Sequence, residues 1–220
     1  MKFIEQQIRY ALTVEEQEHT LETALQANYQ HIARLVKLNE EDTGQQLLNF
    51  VSLYIRSVPS LLDDLQVIAT EKKLSRSVQP LIDIALEFFK LPSRAIGKRS
   101  GLTALMVKAY LAHRLLEEVN DACLFHTGTA IVPMDMSFTN PIIHTLIGES
   151  FANDLDHLVD TAVKKLFQQE RNNQAFIQEL SNSNLVHIYQ RWPSLSGQVG
   201  LNSSLAAQPM YSANAAYLPK

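Results

Sequence analysis

Apolar residues recur at three- and four-residue intervals along almost the whole chain, and strict alternation of apolar and polar positions is confined to residues 129–136. The first pattern gathers apolar side chains onto one stripe of a helix and the second belongs to strands, so the chain is expected to be all-α. Thr13 and Glu16 have capping-box spacing, in which hydroxyl and carboxylate satisfy amides that a first helical turn leaves unpaired. They predict a helix from there to about Leu38, with Val14, Leu21, Leu25, Ile32, Leu35 and Val36 on one stripe. Residues 39–44 read as a loop, and Thr43 as the cap of a helix over residues 45–57. Pro59, which lacks an amide proton, should stop or kink that helix. Helices follow over residues 60–73 and 77–90, the second with Pro80 in its first turn, where a missing amide costs least.

Pro92 and the stretch from Gly97 to Gly101 interrupt the pattern. Ser100 then caps a helix over residues 102–124 that is apolar around most of its circumference, the mark of a central helix. Gly128 and Pro133 lie in an irregular connection, after which Thr139 caps a last long helix running from residue 141 to about 170. Residues 174–180 and 185–192 are read as short helices. From Pro193 onward Lys220 is the only charged residue and Ser, Ala, Asn, Gly and Pro recur. The expected architecture is a single-domain bundle of about six to eight helices over residues 1–192, with an uncharged C-terminal tail, residues 193–220, apolar enough to dock on the domain or on a partner.

Composition narrows the function classes. The 220 residues are 46% hydrophobic and 19% charged, which is globular composition. A net charge of −4 and a pI near 6.0 give no general attraction to phosphate backbones, so no nucleic-acid partner is expected. The single Cys123 cannot form an internal disulfide, no secretory leader is read in the first residues, and no apolar run reaches membrane-spanning length. No membrane span is therefore expected, and a cytoplasmic location follows by elimination.

Several spacings suggest chemistry. Glu16 with His19, and Asp154 with His157, have the carboxylate-x-x-His spacing of dinuclear metal bundles, but on their helices both histidines project away from the apolar stripe. Asp63 with Asp64, and Asp156 with Asp160, resemble magnesium-diphosphate carboxylate pairs but lack the surrounding acids, and are read as solvated. His113 lies on the apolar face of the central helix, with Glu117 one turn later. That pair reads as a general base or metal ligand with its orienting carboxylate, or as a buried network that fixes helix register. His126, Asp135 and His144, at the end of the bundle, form a candidate metal-binding group. Lys98, Arg99 and Ser100, just before the central helix, form a candidate anion site, because free amides at a helix start favour negative charge. Cys123, on an apolar face, is expected to be an inert buried thiol.

No motif names a cofactor. Two readings follow. In the first the chain is a helical interaction or regulatory protein whose helix faces and tail bind a protein partner or a second copy of the chain. In the second it is a small-molecule-binding or metal-dependent enzyme with a polar site inside the bundle. A cavity of several hundred cubic ångströms touching His113 or His144 favours the second, and a large exposed apolar patch favours the first.

Overall fold

The structure, a computed structural model, describes residues 1–26, 31, 43–128, 130–132, 136–167 and 177–178. Among them the chain forms seven α-helices, one short 3₁₀ turn and no strand, as the hydrophobic periodicity predicts. Residues 193–220 and the short helices expected over residues 174–180 and 185–192 lie outside the described residues, apart from 177–178. No described helix is long and apolar enough to cross a membrane.

Helix α1 spans Lys2–Glu18 and α2 spans Thr20–Gln26. The capping-box expectation fails here. The helix passes straight through Thr13, whose hydroxyl donates to the Arg9 carbonyl at 3.2 Å. What decides the matter is burial: Ile4, Ile8 and Ala11, one turn apart, pack into the core and bring the first turns into the helix. The break falls at His19, in the left-handed region at φ 50°. Beyond it the buried carboxylate of Glu15 accepts the Leu21 and Glu22 amides at 2.8 and 3.0 Å and the Thr20 hydroxyl at 2.8 Å. Glu15 is thus the cap of α2, reaching forward from the preceding helix.

Helix α3, Thr43–Glu71, contains Pro59 without ending there. A proline inside a helix costs about 3 kcal/mol. Around it Ile55, Val58, Leu61 and Leu62 are all essentially inaccessible to water, at about 1.5–3 kcal/mol each for full burial, so packing outweighs the lost hydrogen bond. The two helices expected over residues 45–57 and 60–73 are therefore one. Helix α4, Ser75–Lys90, begins two residues earlier than expected, which puts Pro80 beyond its first turn.

After the 3₁₀ turn Ser93–Ile96, helix α5 runs over Gly101–Thr127 and ends on Gly128 at φ 69°. It packs against α1, α2, α3 and α4 and is the central helix that its composition predicts. The long final helix is instead two, α6 over Thr139–Ile147 and α7 over Glu149–Phe167. Gly148 separates them at φ 99° and ψ 127°, a conformation that side chains rarely tolerate. Asn140 sits level with Glu117 and Ile147 level with Arg99, so α6 runs antiparallel to α5. Helix α7 then turns back beside it, with Phe151 at Arg99 and Asp156 at Tyr110 and Arg114.

Candidate functional site

The reversal at Gly148 opens a pocket of about 410 Å³ between α5, α6 and α7, reached by Tyr110, Arg114, Glu117, Asn140, His144, Glu149 and Asp156 among others. Its walls come from three helices because α6 and α7 lean on the same stretch of α5 from either side of one turn.

Arg114 organises the pocket. Its guanidinium pairs with Glu117 and Glu118 on its own helix and with Asp156 of α7 at 3.2 Å. Burial opposes the Arg114 cation, but the carboxylates of Glu117, Asp156 and Glu118 outweigh it and hold its pKa above the usual value. Tyr110 donates its phenol to Asp156 at 2.8 Å, and burial together with that carboxylate pushes its pKa up, so the hydroxyl stays protonated. His144 stands edge-on to the Tyr110 ring at 6.2 Å between centroids, with Nε2 3.2 Å from Asn153 Oδ1 and 3.7 Å from Asp156.

The pocket is tied to the core through Asn140, buried at the start of α6. Its amide nitrogen donates to Glu117 at 2.7 Å, and its oxygen accepts the hydroxyl of the fully buried Tyr54 at 2.7 Å. An unbroken run of polar side chains therefore leads from Tyr54 through Asn140, Glu117, Arg114 and Asp156 to Tyr110. Fully satisfied, such a network fixes the positions of its members. The lining carries three carboxylates, Glu117, Glu149 and Asp156, against one guanidinium and one imidazole, so acidic side chains outnumber basic ones.

The chain matches no family model, no curated protein and no solved structure. The site must be read from its own chemistry.

Of the candidate catalytic, metal and anion-binding residues that are described, His144 and Glu117 come together in this pocket and His113, His126, Lys98, Arg99 and Ser100 do not. His113 is buried on the apolar face, as its helical position predicts, but it makes no hydrogen bond or ion pair with Glu117. The ring packs on Tyr54 at 4.2 Å between centroids, Nδ1 donates to the Ala109 carbonyl at 2.9 Å, and Nε2 accepts from Ser57 at 3.1 Å. Arg114 and Asn140 claim Glu117 instead. Burial pushes the His113 pKa down to about 3, against a smaller opposing effect of the Ala109 carbonyl, so the imidazole is neutral. This geometry is that of a core histidine.

His126 and His144 are also separated. His126 lies exposed in the last turn of α5 beside Phe125, sixteen positions beyond Tyr110, which is about 24 Å along a helix. The cause is Asn120. It accepts the amides of Ile131 and Val132 at 3.0 and 2.9 Å and donates to the Val132 carbonyl, which folds the connection back along α5 before α6 begins. Asp135 lies outside the described residues. Among those residues, no three of His, Cys, Asp and Glu converge as a metal ion requires.

Arg99 is likewise engaged elsewhere. Its guanidinium donates to the Ile147 carbonyl at 2.9 Å, satisfying the end of α6, and lies 4.6 Å from the Phe151 ring. Burial lowers its pKa. Ser100 occupies the cap position of α5 without a side-chain hydrogen bond to the helix, and the neighbouring Lys98 is in the left-handed region at φ 57°. Arg99 therefore joins elements rather than facing an anion. Cys123 is buried, and that burial pushes its thiol up to about 12.

Sequence reasoning missed Tyr110, Arg114 and Asn140 and placed Asp156 among solvated acids. One signal was available: Arg114 stands three and four positions before Glu117 and Glu118. Asp160 does face solvent, paired with Lys164 at 2.6 Å.

Proposed function

We propose that the protein binds a small organic cation, an amine or guanidine carrying an apolar part, in the pocket between α5, α6 and α7. One observation carries this reading: a predominantly acidic cavity of about 410 Å³ whose polar groups are held in place by a network anchored at the buried Tyr54. An ammonium group can lie between Glu149 and Asp156, where it makes charge-assisted hydrogen bonds, with its apolar part against the exposed Pro141. The reading belongs to the small-molecule class expected when such a cavity touches His144. The lone buried thiol is compatible with a cytoplasmic setting for this role.

The test is calorimetric titration with putrescine, agmatine and tyramine. Glu149→Gln is the informative variant, because Glu149 is exposed at the rim and takes no part in the internal network. Binding of one amine per chain, weakened roughly fivefold by Glu149→Gln, is expected from the loss of one charge contact near the surface. Absence of binding by all three at millimolar concentration sinks the reading. A protein-contact role is favoured by Phe3 and Tyr10, seven positions apart on one face of α1 and 46% and 74% exposed. On that reading, replacing both rings by Ser changes the sedimentation mass while the pocket takes up no amine.

A further inference from the structure

A second depression, of about 280 Å³, lies on another part of the bundle, between α1 and α3. Its apolar surface is formed by Ile8, Leu12 and Pro59, and its polar rim by Arg9, Arg56, Glu5 and Ser60. Ile8 and Pro59 are buried and Leu12 is half-buried, so the apolar part is continuous with the core. The proline inside α3 is part of the reason: it presents a ring to the groove and no amide, leaving that surface without a donor of its own.

The two arginines come from different helices and converge on this groove. Neither has a carboxylate within ion-pair distance among the described residues, although Glu5 stands one turn before Arg9 and borders the same depression. In a chain of net charge −4, two unpaired guanidinium groups beside an apolar strip form a local exception. Guanidinium groups match carboxylates in two-point hydrogen-bonding geometry, and an aliphatic chain gains from covering Ile8, Leu12 and Pro59.

We infer that the α1–α3 groove binds an aliphatic carboxylate, its head group between Arg9 and Arg56 and its hydrocarbon chain along Ile8, Leu12 and Pro59. The Ser60 hydroxyl stands at the same rim as a further donor to the head group. Glu5 opposes the ligand, since its carboxylate repels a second one across the groove. The site is separate from the amine pocket, with which it shares no residue.

The test uses the full chain and the series acetate, butyrate, hexanoate and octanoate, followed by NMR titration. Affinity is expected to climb with chain length, by up to about fourfold per methylene while the groove covers it. Arg9→Gln and Arg56→Gln, both at exposed positions, each weaken octanoate about tenfold without altering the fold, and Glu5→Gln strengthens it two- to threefold. Octanoate binding that is absent, that ignores both arginine substitutions, or that is matched by acetate overturns the proposal. A response to chain length with no response to either arginine does so as well, because it signifies apolar adsorption elsewhere.

Discussion

Protonation of His113 should be one of the levers by which acid destabilises the fold. The ring is 1% exposed, and burial lowers its pKa from 6.5 to about 3. A histidine whose pKa is lower in the folded than in the unfolded state makes the unfolded chain the better proton acceptor. Its contribution to stability is fully present above pH 6.5 and is lost progressively as the pH falls from 6.5 toward 3. Between pH 7 and pH 5 the unfolded-state proton alone is worth about 2 kcal/mol, at 1.36 kcal/mol for each pH unit below 6.5. Carboxylates titrate over the same range, so the measurement is a difference. Urea unfolding of wild type and His113→Gln, which cannot titrate, is followed at half-unit intervals. Gln is expected to lower stability at pH 7, because it must replace both the Ala109 and Ser57 hydrogen bonds. The gap between the two proteins should then shrink by about 2 kcal/mol on going to pH 5. A gap that stays constant refutes the assignment of a buried neutral ring, and one that widens toward acid would mean that the folded state holds the extra proton.

Two further substitutions probe the turns that set the architecture. Glu15→Ala removes the cap of α2 and leaves the Leu21 amide buried without an acceptor, so a loss of about 2–4 kcal/mol is expected in thermal or urea unfolding, whereas Glu15→Gln, which keeps one oxygen acceptor, should lose less than half of that. Equal losses in the two variants would show that charge, not hydrogen bonding, holds the α1–α2 break. Gly148→Ala meets no atom within 4 Å of the added carbon, so any cost comes from the φ of 99° alone. It should be about 1–3 kcal/mol in the same unfolding assay, and a neutral result would mean that the α6–α7 turn readily accepts another conformation.

The all-α class was legible because periodicity is a property of many residues together, and no single error erases it. Individual boundaries were less legible where a local signal competed with packing. Thr13 and Glu16 spell a cap, yet Ile4, Ile8 and Ala11 bury on the same helix and carry it through. Pro59 spells a stop, yet the apolar residues on both sides hold α3 together. The opposite happened at Gly148, a residue that periodicity alone treats as one more helical position but that the chain uses to reverse direction. Local propensity is worth about 1–3 kcal/mol at such points, and burial of a few neighbouring side chains matches or exceeds it.

Those boundaries also decide which candidate residues come together. With an unbroken helix from residue 141 to 170, His144 falls near the outer end of α5 beside His126, and Asp156 turns to solvent. Two features move them. Asn120 draws residues 131 and 132 back along α5, so that α6 begins level with Glu117, and Gly148 then returns α7 beside it. His144 and Asp156, twelve positions apart, are brought within 3.7 Å, and both reach Tyr110. His113 carried the stronger helical signal, as a polar residue on an apolar face, but that signal reports burial, and burial with every ring nitrogen already bonded favours a structural ring over a reactive one. The pocket lies instead where a buried polar chain reaches the surface, at Glu117, Arg114 and Asp156. In this bundle the polar network therefore runs from a dry end at Tyr54 to a half-buried end at Glu117, Arg114 and Asp156, where the proposed amine site lies.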